Sequence, residues 1–266
     1  MTAQDMLLVG CGNMGGAMLR GWLRQGWGGR ITVVTPHPER VPAGVTAFAS
    51  IDDYRGQPRN VVLAVKPQML SSVAPSLEPS VGPGTVLLSV LAAVNAATLR
   101  RAFPRAGGII RAVPNLPAAI GEGATALAGD ATDKVRTELM RLCAAFGTVE
   151  WLGSEAALDA ATSVSGCGPA FLFLFAEAVV SAGVAQGLDP IAARRLFAQT
   201  MLGAGRMLAA SDATPAELVR RVASPGGVTL AGLTMLDRER ALHRLTGEAL
   251  AAAASRNAEI AAAARG

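Results

Sequence analysis

The sequence has few of the residues on which several classes of protein depend. Of its 266 residues only 4% are aromatic, two are histidine and three are cysteine. The shortage of aromatic rings argues against nucleic-acid modules that stack bases on them. His37 and His243 are too few and too isolated for a metal site, so no metal is expected. An odd number of cysteines without metal-ligand spacing favours free thiols in the reducing cytoplasm.

Charge is scarce as well, at 17% of the residues, and the 24 basic and 20 acidic side chains give a net charge of +4. The lysines are Lys66 and Lys134, and the arginines are scattered along the chain. This pattern does not predict a basic patch, so no nucleic-acid partner is expected. A hydrophobic content of 51% over this length predicts a substantial core and excludes disorder.

The chain also lacks a clear targeting or membrane segment. The N-terminus leads into an apolar run without a basic leader or a small-residue cleavage site. The longest apolar stretch, 169–188, could cross a bilayer by length, but Glu177 lies near its middle and Gln186 near its end. We therefore expect a buried helix there and no membrane association.

The hydrophobic pattern divides the chain into two parts. The first part contains short apolar runs spaced for connecting helices, at 6–10, 31–35, 61–65, 85–90 and 109–113. Beyond about Ser154, apolar residues recur every three or four positions, with Pro190 and Pro215 near helix starts. The sequence thus predicts an α/β protein, with a Rossmann-type doubly wound parallel sheet in 1–153 and an all-helical domain in 154–266.

A glycine triplet follows the first predicted strand. Gly10, Gly12 and Gly15 have the spacing that permits a tight turn, close approach of a pyrophosphate and close packing of the next helix. The start of that helix would hold the phosphates. The alternative is an ordinary glycine-rich turn, but the strand before it and the helix after it favour dinucleotide binding. Cys11 is interpreted as a small turn residue.

The end of the second predicted strand bears on cofactor choice. It lacks the carboxylate that NAD enzymes usually place on the ribose hydroxyls. Thr35, His37 and Arg40 could instead bind a 2′-phosphate, which favours NADP, although Glu39 leaves NAD open. The alternative is a proline-rich surface turn with a solvated arginine.

Lys66 follows the 61–65 run, at the sheet edge where ligands bind. It either sits beside cofactor phosphate or ribose, or it merely ends a strand before a turn fixed by Pro67.

A second loop, at 224–229, has the features of an anion-binding helix start. Gly226 and Gly227 leave backbone N–H groups open, Ser224 and Thr229 add hydroxyls, and an apolar helical window follows. The helix dipole would favour a carboxylate or phosphate there. The alternative is a plain loop with an N-cap.

Several motifs, in this order along nearly the whole chain, resemble those of the pyrroline-5-carboxylate reductase family. They are Gly10-Cys11-Gly12-Asn13-Met14-Gly15, Val65-Lys66-Pro67, the segments 111–117 and 121–125, the segments 165–170 and 203–205, Gln199-Thr200, and Ser224-Pro225-Gly226-Gly227-Val228-Thr229. The combination is far more specific than any one motif.

The resemblance implies hydride transfer from NADPH, with NADH as the alternative, to the C=N bond of 1-pyrroline-5-carboxylate. The product would be L-proline, in the last step of proline synthesis. It implies that Ala92, Pro114 and Asn115 line the nicotinamide side. It also implies that the 224–229 loop, through Ser224, Gly226, Gly227 and Thr229, binds the substrate carboxylate. The Thr229 hydroxyl would lie near the ring nitrogen as the catalytic group.

The resemblance further implies a homodimer with interlaced helical domains, often assembled into a decameric ring of dimers. Each active site would lie between one chain's nucleotide domain and its partner's helical domain. The sequence departs from the family pattern at five positions, which affects substrate choice and the nicotinamide surroundings rather than the fold: Ala93, Leu116, Cys167, Ala223 and Val228.

Three alternatives stay open at this point. The first is reduction of a related cyclic imino acid such as piperideine-carboxylate. The second is a chain like the β-hydroxyacid dehydrogenases, a family that uses a lysine on the first long helix of its second domain, whereas 169–188 contains no lysine. The third is a non-catalytic NADP-binding protein, against which the retained 224–229 loop argues.

Overall fold

The computed structural model describes residues 5–263. Its eight described strands form one sheet in the order β3-β2-β1-β4-β5-β6-β7-β8. The strands are β1 (Met6–Val9), β2 (Ile31–Val34), β3 (Thr46–Phe48), β4 (Asn60–Leu63), β5 (Val86–Ser89), β6 (Gly108–Val113), β7 (Gly123–Asp130) and β8 (Gly147–Trp151). Neighbours are parallel except β6 and β7, which are antiparallel. The predicted doubly wound parallel sheet is confirmed, with one antiparallel step.

The described helices flank this sheet or follow it. They are α1 (Asn13–Arg24), α2 (Leu70–Leu77), α3 (Ala96–Ala102), α4 (Asp133–Cys143), α5 (Glu155–Ala161), α6 (Gly168–Ala185), α7 (Pro190–Ala209), α8 (Pro215–Val222), α9 (Val228–Leu236) and α10 (Ala241–Ala263). Pro190 and Pro215 lie in the first turns of α7 and α8, as predicted. The described residues after 151 contain no strand, so the prediction of a helical second half is confirmed.

Helices cover both faces of the sheet, and successive strand residues point to opposite faces, so both sets of side chains are buried. In β1, Met6 and Leu8 belong to one hydrophobic cluster, which includes side chains of α1 and α4. Leu7 and Val9 belong to a second cluster, which includes side chains of α2 and α3. The chain runs outward from β1 in both directions, so the strand order reverses between β1 and β4. Ligands of open α/β sheets bind at such a switch point.

Contacts divide the chain into two compact units. The first contains the sheet and extends to Pro169, and it also includes the described residues from Ala253 onward; the second is Ala170–Ala252. Within the second unit, Phe175 and Phe197 make an edge-to-face contact with ring centroids 6.0 Å apart. The predicted division into 1–153 and 154–266 stays a prediction.

Three strands lie outside the runs from which the sheet is predicted. β3 is short and half-exposed, so it carries little hydrophobic signal. β7 is composed mainly of glycine, alanine and threonine, and β8 alternates half-buried and exposed residues. These three strands form the two ends of the sheet, where fewer apolar side chains are needed.

The helix predicted at 169–188 is present, but the expectation that it is buried is wrong for the single chain. Phe173 and Leu174 on α6 are 60% and 65% exposed. Among the described residues, the helical stretch Glu155–Ala185 is long and apolar enough to cross a membrane, by length and composition alone. The periodicity that predicts a helix cannot tell whether the same chain supplies the side chains that cover it.

Candidate active site

The glycine triplet between β1 and α1 has a separate steric reason at each position. Gly10 has φ +95°, and a Cβ there would lie 2.6 Å from the Ala64 carbonyl oxygen. A Cβ at Gly15 would overlap the Gly10 carbonyl oxygen, so α1 packs directly on the turn. A Cβ at Gly12 would meet no protein atom within 4 Å. The open space at Gly12 is where the fingerprint lets a pyrophosphate approach the backbone.

The helices differ in how their first N–H groups are satisfied. Five of them begin with a side-chain cap, supplied by Asn95, Thr132, Ser154, Asp189 and Thr214. Helices α1 and α9 have Gly12 and Gly227 as their N-cap residues, so neither has a side-chain cap. Their first-turn N–H groups can therefore donate to a ligand, and the helix dipole favours an anion.

Lys66 lies at the same sheet edge as the glycine loop. The Ala64 N–H donates to the Val9 carbonyl (2.8 Å), which places the residues after β4 beside those after β1. Lys66 is exposed and begins a 3-10 turn, Pro67–Met69, and Val65 is half-buried beside it. At this position Lys66 can either contact a cofactor phosphate or merely follow the end of a strand.

The residues after β2 form a small charged cluster at this edge. Thr35 is buried, and its hydroxyl accepts from the His37 N–H at 3.4 Å. One oxygen of the Glu39 carboxylate lies 3.3 Å from His37 Nδ1 and 3.8 Å from Arg40 Nε. The side chains of His37, Glu39 and Arg40 are largely exposed. A 2′-phosphate that used both His37 and Arg40 would have to displace this carboxylate.

The residues assigned to the nicotinamide side follow β5 and β6. Ala92 is exposed, whereas Pro114 and Asn115 are buried. The Asn115 amide is occupied by backbone groups: its Oδ1 accepts from the Ala124 N–H (2.9 Å), and its Nδ2 donates to the Ser165 carbonyl (3.0 Å). Asn115 therefore fixes the backbone around it, and any contact with a nicotinamide would come from its remaining surface.

Ala93, in the loop after β5, has φ +61° and is buried. This left-handed conformation costs an alanine roughly 1–2 kcal/mol, a cost that glycine avoids. We expect Ala93→Gly to raise the free energy of unfolding, because it removes this strain. The rise should be at most about 1 kcal/mol, because the greater entropy of glycine in the unfolded chain offsets part of the gain. Urea unfolding at fixed protein concentration measures this change.

The matched control for that substitution is Ala97→Gly. Ala97 is exposed in α3, where glycine costs about 1 kcal/mol, so the control should shift stability in the opposite direction. Equal destabilisation by the two substitutions would contradict the strain at Ala93.

The 224–229 loop lies in the second unit. Gly226 has φ +70°, and the Gly227 N–H donates to the Ser224 carbonyl at 3.0 Å, which closes a turn. Thr229 is half-buried in the first turn of α9, immediately after this turn. The loop and the helix start thus place two hydroxyl groups and open N–H groups in one short segment.

Neither Cys11 nor Cys143 has the lowered thiol pKa that is typical of a reactive cysteine. Burial raises the pKa of Cys143 to about 12. Burial also raises the pKa of Cys11, and the opposing effect of nearby Arg20 is smaller. Cys143 is fully buried in the cluster that includes α1 and α4. Among residues 5–263, no three His, Cys, Asp or Glu side chains are grouped to hold a metal.

Arg111 is a residue that sequence reasoning missed. Its side chain is 5% exposed on β6, with Nη1 2.9 Å from Glu155 Oε1 and Nη2 3.2 Å from Asp159 Oδ1. An arginine inside an apolar strand is a detectable signal, because a buried guanidinium requires partners. Its partners lie 44 and 48 residues further along the chain, beyond any local pattern.

The sheet topology and the glycine loop define a Rossmann-type dinucleotide-binding protein with a helical second half. A family model for pyrroline-5-carboxylate reductase dimerisation matches residues 155–260, and one described as NADP oxidoreductase, coenzyme F420-dependent, matches residues 6–93. The chain is 34% identical to pyrroline-5-carboxylate reductase of Pseudomonas aeruginosa over 98% of both chains. The chain belongs to the pyrroline-5-carboxylate reductase family.

Two further comparisons agree. The chain is 35% identical to pyrroline-5-carboxylate reductase of Pisum sativum, with 95% of this chain and 94% of that protein covered. The solved structure of a pyrroline-5-carboxylate reductase from Coxiella burnetii superposes with a TM-score of 0.90 at 28% identity, covering 97% of this chain and 98% of that one.

Proposed function

We propose that this protein is an NADPH-dependent reductase that converts 1-pyrroline-5-carboxylate to L-proline. The observation that carries the proposal is the pair of glycine-led, uncapped helix starts, at Gly12 and Gly227, in a chain of this family. One start suits the diphosphate of a dinucleotide and the other suits the carboxylate of a small acid. The cytoplasm is the proposed compartment, since three free cysteines suit reducing conditions.

The first unit carries the proposed cofactor site. The backbone of residues 10–15 holds the diphosphate, and Lys66, between Val65 and Pro67, adds a positive charge at the same edge. Thr35, His37 and Arg40 hold the 2′-phosphate once Glu39 turns away. Ala92, Pro114 and Asn115 border the nicotinamide, which supplies the hydride when the cofactor is bound. The NADP description of the model that matches 6–93 supports this choice of cofactor.

The second unit carries the proposed substrate site. The Gly226 N–H and the first-turn N–H groups of α9 after Gly227, with the Ser224 hydroxyl, bind the substrate carboxylate and fix the ring. As the C=N carbon takes up hydride, the π electrons of the C=N bond move onto the ring nitrogen, which then takes a proton that comes from solvent. The Thr229 hydroxyl donates a hydrogen bond to that nitrogen and stabilises the developing charge. A strong general base is not required.

The chain forms a homodimer, further assembled as a decameric ring of dimers. Large apolar side chains are exposed on α6, α7 and α9, including Phe173, Leu196 and Met235 at 60–65%. Exposed apolar faces of this kind mark interaction surfaces, and a second copy of the chain covers them. The dimerisation model that matches 155–260 supports the pairing. Light scattering should give an even multiple of the 27.1 kDa chain mass.

The function is tested by following cofactor oxidation with two substrates, 1-pyrroline-5-carboxylate and piperideine-6-carboxylate, each with NADPH and NADH. We expect the highest kcat/KM with NADPH and the five-membered imine. Faster turnover of the six-membered ring would reassign the substrate. Oxidation of neither cofactor with either imine would remove the reductase function and leave a binding protein.

A further inference from the structure

We propose that Arg111, Glu155 and Asp159 form a positioning network for the nicotinamide half of the active site. The role in hydride transfer rests on the proposed function. The network lies wholly within the first unit, and none of its members has an assigned part in cofactor or substrate binding. Its effect would be to fix the two loops that border the nicotinamide relative to the central sheet.

The Arg111 guanidinium is buried away from water. Because this group is buried on β6, it needs charged partners to offset the loss of water. Glu155 and Asp159 are four residues apart, so they lie on one face of α5 and contact different nitrogens of the guanidinium. The pair of contacts fixes both the distance and the rotation of α5 over the sheet.

The Glu155 carboxylate connects this network to the loop after β5. Glu155 Oε1 also accepts a hydrogen bond from the Ala96 N–H, at 2.9 Å. Ala96 is the first residue of α3, and the loop just before it contains exposed Ala92 and strained Ala93. One oxygen of the Glu155 carboxylate therefore holds the end of a loop that contains a strained backbone conformation.

The end of α5 connects the network to the loop after β6. Helix α5 continues into a π-helical turn, Thr162–Gly166. The Ser165 carbonyl in this turn accepts the hydrogen bond from Asn115 described above. Asn115 lies four residues beyond Arg111, so one stretch of chain contacts both α5 and the π-helical turn that follows it. Single π turns of this kind are frequent at functional sites.

Both nicotinamide loops are thus tied to α5, whereas the diphosphate is assigned to the α1 start and Lys66. Loosening the network should leave NADPH binding nearly unchanged and displace the reacting ring. Hydride transfer depends steeply on geometry, and a misplacement of about 1 Å can cost on the order of 100-fold in rate. A defect in positioning should therefore lower kcat, whereas a defect in affinity should raise the NADPH Kd.

The test compares Glu155→Gln with Glu138→Gln. Glu138 also serves two partners, Arg59 (3.5 Å) and Asn60 (3.0 Å), but at the opposite edge of the sheet. We expect Glu155→Gln to lower kcat by about 10- to 100-fold and to raise the kinetic isotope effect with NADPH deuterated at C4. The NADPH Kd, from a fluorescence titration, should change less than about twofold. Asp159→Asn should have a smaller effect, because Asp159 does not contact Ala96.

A second readout does not depend on activity. Hydrogen exchange measured by mass spectrometry should become faster at 91–97 and 162–167 in Glu155→Gln and stay unchanged there in Glu138→Gln. Unchanged exchange in the first variant, or equal effects of both variants on exchange and kcat, would overturn the network. If exchange responds as expected but the parent protein does not reduce the imine, the loop-holding network stands while its role in hydride transfer and the proposed function both fail.

Discussion

Replacing Gly12 by alanine should weaken NADPH binding by at least 10- to 100-fold, roughly 1.4–2.7 kcal/mol, without unfolding the protein. The reason is local geometry: Gly12 has a negative φ of −74°, and its Cβ would meet no protein atom. The added methyl group would instead fill the space through which the diphosphate reaches the first turn of α1. A fluorescence titration with NADPH measures the change in Kd.

The matched control is Gly28→Ala. Gly28 is also exposed, lacks a positive φ and has no protein atom near its would-be Cβ. This variant should bind NADPH as the parent protein does, and both variants should have similar thermal midpoints. If Gly12→Ala binds NADPH as tightly as the parent protein does, the diphosphate does not bind at the start of α1.

Replacing Thr229 by valine should lower kcat/KM for the imine by about 10- to 1000-fold, the range for one lost transition-state hydrogen bond. Valine keeps the shape of threonine but cannot donate to the ring nitrogen as charge builds there. The NADPH Kd should be unaffected, since the cofactor residues lie in the other unit. Steady-state kinetics with saturating NADPH separates kcat from KM.

Two variants control for this result. Thr234 lies on the same helix and donates its hydroxyl to the Leu230 carbonyl, so Thr234→Val tests the general effect of removing a hydroxyl from α9. Thr229→Ser retains the donor and should recover most of the activity. A Thr229→Val protein as active as Thr234→Val would take the catalytic role away from Thr229.

The sequence predicts the parts of this fold that depend on local rules. The glycine triplet needs a tight turn, an open approach and a close helix, and Gly10, Gly12 and Gly15 meet those needs in turn. Pro190 and Pro215 mark helix starts because proline lacks the N–H that the first turn leaves unpaired.

Other features depend on contacts that no local pattern contains. β7 has small side chains, and only its place between β6 and β8 makes it a strand. The carboxylates that Arg111 needs lie in a helix far along the chain. Glu39 is visible near His37 and Arg40 in the sequence, but its position against both side chains is a result of the turn that follows β2.

The exposed face of α6 marks a different limit. Its apolar residues are predicted to be buried, and the single chain leaves them exposed. The sequence pattern predicts that an apolar surface is covered, but it does not indicate which chain covers it.

The reductase function is tested most directly by following the transferred hydrogen. The protein is incubated with 1-pyrroline-5-carboxylate and NADPH that carries deuterium at both C4 positions, and the proline formed is analysed by mass spectrometry and NMR. The account predicts L-proline with a single deuterium at C5, the carbon of the former C=N bond. Proline without deuterium, or oxidation of NADPH without any proline, would contradict it.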